Sequence, residues 1–481
     1  MSVLVIDVGT SGLRAAVVNG DGAVHALEYR PFPPSTPFPG LVEFDGAGMA
    51  DAVLDVATKS LAAAGPVAGV GISNQRASTL VWDRTTGEPI GPGLGWQDLR
   101  TVFDCITAKA DHGLALAPNQ SATKVAWLLN NIAGARDRDL CFGTIDTWVA
   151  WVLSRGAVHV TDPSNAAVTG LLTADCTTWS AEACAALGVP MSMLPTLIDS
   201  TGVFGEATAL PGSPPLAALV GDQQASLVGQ GCVHPGLAKI TFGTGGMLDV
   251  CTGPTPPVSA RRSAHGTFPI VAWSRGGAKT WGTEAIMLSA GTNVEWLRDD
   301  LGIIDTAAHS HDVAAQCEHT DGVVYVPALM GLGTPHWDYG ARGTLLGLTR
   351  GSGRPQLVRA VLEGIAHRGA DLLEAAEADF GGSIGAIRVD GGMSQNPTFI
   401  QALANTTGRA IEVSPQTEAT TIGAAYLAGL AVGVWGSFDD IAAAWAPHAV
   451  VEPTGRLDRQ QWASAIERAR TWIPDLSALD F

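Results

Sequence analysis

The stretch Val3-Leu-Val-Ile-Asp7-Val-Gly-Thr10-Ser-Gly-Leu-Arg14-Ala-Ala-Val-Val18-Asn-Gly-Asp-Gly22 decides the fold. Two apolar runs flank a turn of small and hydroxyl residues. Asn19 to Gly22 makes a second turn before Ala23-Val-His-Ala-Leu27, so the segment reads as a three-strand meander. A strand ending in Asp and followed by Gly-Thr-Ser-Gly offers bare backbone and hydroxyls, a lining suited to phosphate. A related arrangement recurs far downstream as the strand Lys239-Ile-Thr-Phe242, the turn Gly243-Thr-Gly-Gly246 and the strand Met247-Leu-Asp-Val250. One such unit in each half predicts two domains of related design facing one phosphate-sized ligand.

Outward from these hairpins the pattern alternates. Val67 to Ile72, Leu216 to Val220, Val323 to Pro327 and Ile387 to Gly391 read as strands, and Ser121 to Asn130, Asp146 to Leu153 and Gln356 to Ala376 as helices. The expected class is α/β. A Pro-rich arm runs from Pro31 to Pro39, and a long Gly-containing loop follows Pro327 as far as Arg350. The domains are expected at 1–233 and 234–445, with a helical tail at 446–481. Thr421 to Phe438 carries no charge, yet Gly423, Gly429, Gly433 and Gly436 stud it and no basic residues flank it. It reads as a small-residue helix packed closely in a core and then a turn, not as a membrane span.

Over 481 residues, 46% are hydrophobic and 15% charged, which fits a multidomain globular chain. Twenty-eight Lys and Arg against 46 Asp and Glu leave a net charge of −18, which repels phosphate backbones and anionic lipid. Nucleic acid and membrane are therefore not expected partners, whereas a small phosphorylated ligand can be held by backbone N–H groups. Seven widely spaced cysteines without a CxxC pair read as reduced core residues. With no secretory signal visible, the expected location is cytoplasmic.

Asp7, Asp222 and the pair Gly391-Gly392 each follow an apolar run, at strand ends where ligands usually bind in open α/β sheets. Singly, an acid there is as well read as a turn residue or a helix cap; together they favour one cleft.

At this point the chain becomes recognisable. Asp7 to Arg14, Asn74-Gln-Arg76, Leu80 to Ile90, Trp96 to Thr101, Ser121 to Trp127, Gly221-Asp-Gln-Gln224, Gly243-Thr-Gly245, Trp337 to Gly351 and Asp390-Gly-Gly392 together resemble the FGGY carbohydrate kinases, most of all their glycerol kinase branch. The resemblance implies two actin-like ATPase domains with ribonuclease-H-like cores around a central cleft. They would close on ATP, Mg²⁺ and a small polyhydroxy substrate, and a phosphoryl group would pass to a substrate hydroxyl. Asp222 matches the catalytic base and Asp7 the acid that helps hold the metal; both are the metal-site candidates. Thr10, Ser11 and Arg14 match the first phosphate hairpin, and Gly243 and Thr244 the second. Ala290, Gly291, Gly391, Gly392 and Asn396 match nucleotide-binding positions. Asn396 precedes Pro397 and an apolar-periodic stretch, so it also reads as a helix N-cap.

The substrate pocket departs from the family pattern. Arg76, Trp96, Asp222 and Gln223 are retained, but Ala77 stands at the position of a Glu, Asn119 at that of a Tyr and Met247 at that of a Phe. The altered lining is expected to weaken glycerol binding and to admit a longer polyol or a ketose, with Asn119 or Gln120 as new hydrogen-bonding partners. A glycerol kinase with a drifted pocket, a xylulokinase-like or erythritol kinase-like enzyme, a non-catalytic sugar sensor and a mechanical ATPase stay open as alternatives. So does a homodimer or homotetramer.

Overall fold

Both hairpins form, and each lies at the centre of a sheet of the same plan. The computed structural model describes residues 1–259, 261–415 and 418–479. In the first half, β1 (Ser2–Val8), β2 (Gly12–Asn19) and β3 (Val24–Pro31) make the antiparallel meander. β4 (Gly69–Asn74) adds in parallel to β1, β5 (Thr201–Glu206) lies at the far edge, and β6 (Pro215–Gly221) adds in parallel to β4. The order is β5-β6-β4-β1-β2-β3.

In the second half β7 (Ala238–Phe242), β8 (Gly246–Gly253), β9 (Phe268–Arg275) and β10 (Ala278–Met287) are antiparallel neighbours. β11 (Ile387–Asp390) and β12 (Ile411–Val413) extend the sheet in parallel from β7, and β13 (Ala449–Val451) closes the edge. The order is β9-β10-β8-β7-β11-β12-β13.

The helices that position the site are α1 (Gly46–Ala64), α2 (Ala122–Asn131), α3 (Ile145–Leu153), α4 (Asp222–Gly229), α5 (Gly291–Asp299), α6 (Arg354–Phe380), α7 (Pro397–Thr407), α8 (Ala419–Val432) and α9 (Arg459–Ala469).

The period-2 geometry of β1 divides its side chains between two cores. Leu4 and Ile6 join α1 and α3 in the core of the first domain, while Val3 and Val5 join residues of α4 and α8 in a cluster that reaches into the second half through Cys251, Ala272 and Trp273. The helices α4 and α8 meet through glycines. A Cβ at Gly423 would stand 1.7 Å from the carbonyl oxygen of Ala225, and one at Gly229 1.9 Å from that of Ala419, so only glycine permits this approach. The uncharged stretch is therefore a 14-residue helix packed against a second helix, as its glycines implied. Among the described residues no helix is long and apolar enough to cross a membrane. All seven cysteines are free, and six are buried.

Three local expectations shift. The strand read at Val67 to Ile72 runs from Gly69 to Asn74, because pairing with β1 continues through Ser73 and Asn74. Part of the loop before Arg350 is the short strand Thr344–Leu346, paired with Val324–Val326. The tail, read above as helical, holds helix α9 and also β13, and residues 480 and 481 lie outside the described ones. Helix α9 docks on α6 through Asp371, which accepts from Arg459 Nη2 at 2.6 Å and from the Trp462 indole at 3.1 Å.

Candidate active site

Strand β6 ends at Gly221, and Asp222 opens α4. Its Oδ1 accepts the Gln223 backbone N–H at 2.8 Å and lies 3.7 Å from Arg76 Nε. A Cβ at Gly221 would come within 2.7 Å of Arg76 Cδ, so glycine makes room for the arginine to fold over the strand end. Arg76 follows β4 and reaches across to the second domain, where its Nη2 donates to Glu284 of β10 at 2.5 Å. Among the described residues its buried Nη1 has no hydrogen-bond partner. Burial raises the Asp222 carboxyl above the usual carboxylate range while Arg76 pulls it down, an environment suited to a group that must accept a proton.

Asp7 lies one residue before the end of β1. Burial pushes it up to about 7, Arg14 opposes this, and Asp222 and Glu418 add to it. Arg14 Nε is 3.4 Å from Asp7, and its Nη1 pairs with Glu418 at the head of α8, a clasp between the first hairpin and the second domain. Asp7 and Asp222 thus offer two mutually repelling carboxylates. Such a pair suits Mg²⁺, a hard cation that keeps several waters and binds through one or two carboxylates plus substrate phosphates. Among the described residues no group of three or more His, Cys, Asp or Glu could hold a metal by itself. Gly9 N–H closes the first turn on Gly12 at 2.9 Å, Ser11 is exposed, and Thr10 Oγ1 accepts from the Trp96 indole at 3.1 Å.

The turn of the second hairpin, Gly243 to Gly246, carries no charged side chain. Ala290 N–H donates to Thr244 and Gly291 N–H to Gly243, both at 2.8 Å. A Cβ on Gly291 would stand 2.6 Å from the Gly243 carbonyl oxygen, and one on Gly391, whose φ is +86°, 2.4 Å from that of Phe242. Gly392 faces open space. The fold therefore gathers Gly243, Thr244, Ala290, Gly291, Gly391 and Gly392 around the end of β7. Asn396 is the N-cap of α7: its Oδ1 accepts from Phe399 N–H at 3.1 Å, and its Nδ2 donates to Ser310 Oγ at 2.8 Å. The cap reading holds, and a nucleotide contact would have to share that amide.

Three of the expected substrate residues, Ala77, Trp96 and Asn119, are tied together through their backbone. Trp96 N–H donates to Ser78 Oγ at 3.0 Å, and Ser121 Oγ donates to the carbonyl of Ala77, a buried residue with φ +63°. Lys124 of α2 is fully buried and donates to the carbonyls of Gly95, Trp96 and Asn119 at 2.7, 3.2 and 3.4 Å. Burial pushes this lysine down to about 7. Gln120 turns its amide oxygen to Ala117 N–H at 3.0 Å, within its own loop, whereas Asn119 is exposed. Met247, half-buried on β8, lies between Thr241 and Ile286 in cross-strand register. Gln223 accepts from Lys239 Nζ at 2.7 Å, and Lys239 also faces Asp249 at 2.8 Å.

Lys124, Lys239, Asp249, Glu284 and Glu418 did not emerge from the sequence reading. The available signal for three of them was charge inside otherwise apolar strands: Lys239, Asp249 and Glu284 each stand in a run where a purely structural strand would place an apolar side chain.

Residues 2–229 match the N-terminal domain and residues 238–432 the C-terminal domain of the FGGY family of carbohydrate kinases. A glycerol kinase of Aromatoleum aromaticum is 40% identical over 495 residues, covering 98% of this chain and 99% of that one. One of Bordetella parapertussis is 41% identical over 498 residues, with 98% and 97% covered. Among solved structures, the glycerol kinase of Plasmodium falciparum with ADP superposes with a TM-score of 0.91 at 27% identity, covering 97% of this chain and 98% of that one. The ligand-bound xylulose kinase of Lactobacillus acidophilus gives 0.85 at 21% identity, with 98% and 97% covered, a likeness of fold.

Proposed function

The chain belongs to the FGGY family of carbohydrate kinases and has its two-domain, actin-like α/β fold, and from that premise we propose that it transfers the γ-phosphoryl group of ATP to a hydroxyl of a neutral polyol or ketose larger than glycerol. One observation supports the choice of substrate: the residues matched to the catalytic positions are all present, while Ala77, Asn119 and Met247 stand at three of the positions matched to the substrate pocket. Neutrality follows from the charge arrangement. Arg76 faces Asp222 and Glu284, Lys239 faces Asp249, and Lys124 is directed at three carbonyls. Arg76 keeps its Nη1 for a substrate oxygen, but its charge is already matched by two carboxylates, so the wall favours a neutral substrate.

In this reading Asp222 accepts the proton of the attacking hydroxyl, which sharpens the nucleophile as its oxygen approaches phosphorus. Arg76, fixed by Glu284, holds Asp222 toward the cleft and presents its unpartnered Nη1 to a substrate oxygen. Thr10, Ser11, Arg14, Gly243 and Thr244 donate to the phosphoryl oxygens, where charge lies in the transition state. Asp7 and Asp222 would hold Mg²⁺, which neutralises phosphate charge when bound. Ala290, Gly291, Gly391 and Gly392 flank the nucleotide. Seven free cysteines agree with a reducing, cytoplasmic setting.

A second reading, glycerol as the physiological acceptor, is favoured by the 40–41% identity to glycerol kinases over nearly the whole chain. ADP release with and without polyols tests the class of function. A kinase is substrate-stimulated and yields a phosphorylated product; a sensor is inert; a mechanical ATPase ignores the sugar. Absence of polyol- or ketose-dependent ADP release would overturn the proposal.

A further inference from the structure

The inner face of the second sheet carries a charged cross-strand row that the reaction does not account for. Lys239 on β7 stands opposite Asp249 on β8, which stands opposite Glu284 on β10. Lys239 and Asp249 are fully buried and Glu284 is buried, in strands that are otherwise mostly apolar. Burying charge is costly unless every donor is used, and the contacts of Lys239 meet that condition. Its three protons face Asp249 Oδ2 at 2.8 Å, Gln223 Oε1 at 2.7 Å and Thr241 Oγ1 at 3.0 Å. An ammonium group has three donors and no acceptor, so the end of the Gln223 carboxamide that meets it must be the oxygen. The Gln223 NH₂ group is therefore the end left for a ligand.

We propose that Lys239 and Asp249 are positioning residues of the substrate site: the buried pair locks the Gln223 carboxamide so that it acts only as a hydrogen-bond donor, selecting a substrate oxygen that accepts. This rests on the reading of the cleft as a polyol or ketose site. Asp249 acts through Lys239: its carboxylate is the ion-pair partner at 2.8 Å, and its part is to supply the charge that keeps the ammonium in place. Without Lys239 nothing holds the amide oxygen away from the cleft, and the flipped amide would set its own oxygen against a substrate oxygen.

A double-mutant cycle tests the coupling. Gln223→Ala should raise KM for the accepted polyol or ketose about tenfold, the loss of one hydrogen bond to a site that cannot replace it. Lys239→Met should raise it by a similar factor with KM for ATP unchanged. Adding Gln223→Ala to Lys239→Met should then change KM less than twofold. Effects that multiply, or a Lys239→Met enzyme with unaltered KM, would overturn the proposal. If Lys239→Met does not fold, Gln223→Glu carries the test alone: it keeps an oxygen on Lys239 and removes the NH₂ donors, so KM should rise about tenfold at unchanged melting temperature. A KM within twofold of wild type would contradict the assignment. Wild-type turnover of the panel substrate is measured first, so failure of the kinase reading is seen separately from failure of the relay.

Discussion

The two ends of the cleft differ in how much of the family pattern they keep. At the phosphate end Asp7, Thr10, Arg14, Asp222, Gly243 and Thr244 are all present, and the fold brings them to the ends of β1, β6 and β7. At the proposed substrate end, Ala77, Asn119 and Met247 stand where the resemblance leads one to expect a carboxylate and two aromatic side chains, and Lys124 and Ser121 bind the surrounding loops together. The reaction needs fixed charge at one place, whereas substrate choice depends on which side chains line a wall. The contrast teaches that turnover and specificity are separable here, and each prediction below probes one side of that division.

The largest effect belongs to Asp222. Asp222→Asn keeps shape and loses proton acceptance, so kcat should fall by about 10² or more while ATP affinity is preserved, as steady-state kinetics beside nucleotide titration will show. Near-normal turnover would move the catalytic end away from α4. Next comes Asp7→Ala, which should raise the Mg²⁺ concentration needed for half-maximal rate and lower turnover about tenfold or more, the scale of a lost charge-assisted contact. A metal titration reads it. An unchanged Mg²⁺ curve would make Asp7 a structural partner of Arg14.

Gly423→Val tests whether both ends rest on one support. A side chain there strikes the Ala225 carbonyl, so α8 must withdraw from the helix that begins with Asp222. Stability should drop by about 1–3 kcal/mol in a thermal melt, with kcat and KM both impaired. The smallest effect is expected at the altered wall. Ala77→Glu, Asn119→Tyr and Met247→Phe together should shift kcat/KM toward glycerol, each restored hydrogen bond contributing about 0.5–1.5 kcal/mol. Ala77 already holds φ +63°, so a longer side chain adds no new backbone strain. The three positions are proposed to line one pocket, so their effects need not be additive.

The architecture was legible because it rests on local signals. The meander around Asp7 and its counterpart around Gly243 follow from alternation and turn residues, and the glycines at 423 and 429 marked α8 as a closely packed helix. The catalytic candidates were legible as acids and glycines at strand ends. What escaped was non-local. Glu284 meets Arg76 across 208 positions and Arg14 meets Glu418 across 404, and no period or spacing encodes such a pair. Lys239 and Asp249 are visible as charges in apolar strands, but their meaning depends on the β7–β8 register and on Gln223 arriving from the other domain. Asn396 shows the reverse case, where the cap was readable from Pro397 and the tie to Ser310 was not.

The central claim is that a complete catalytic end serves a pocket no longer shaped for glycerol. Its most direct test is kcat/KM of the wild-type protein across C3 to C6 polyols and ketoses with saturating ATP and Mg²⁺. The account predicts that at least one longer polyol or ketose exceeds glycerol; glycerol as the best substrate of the panel would contradict it.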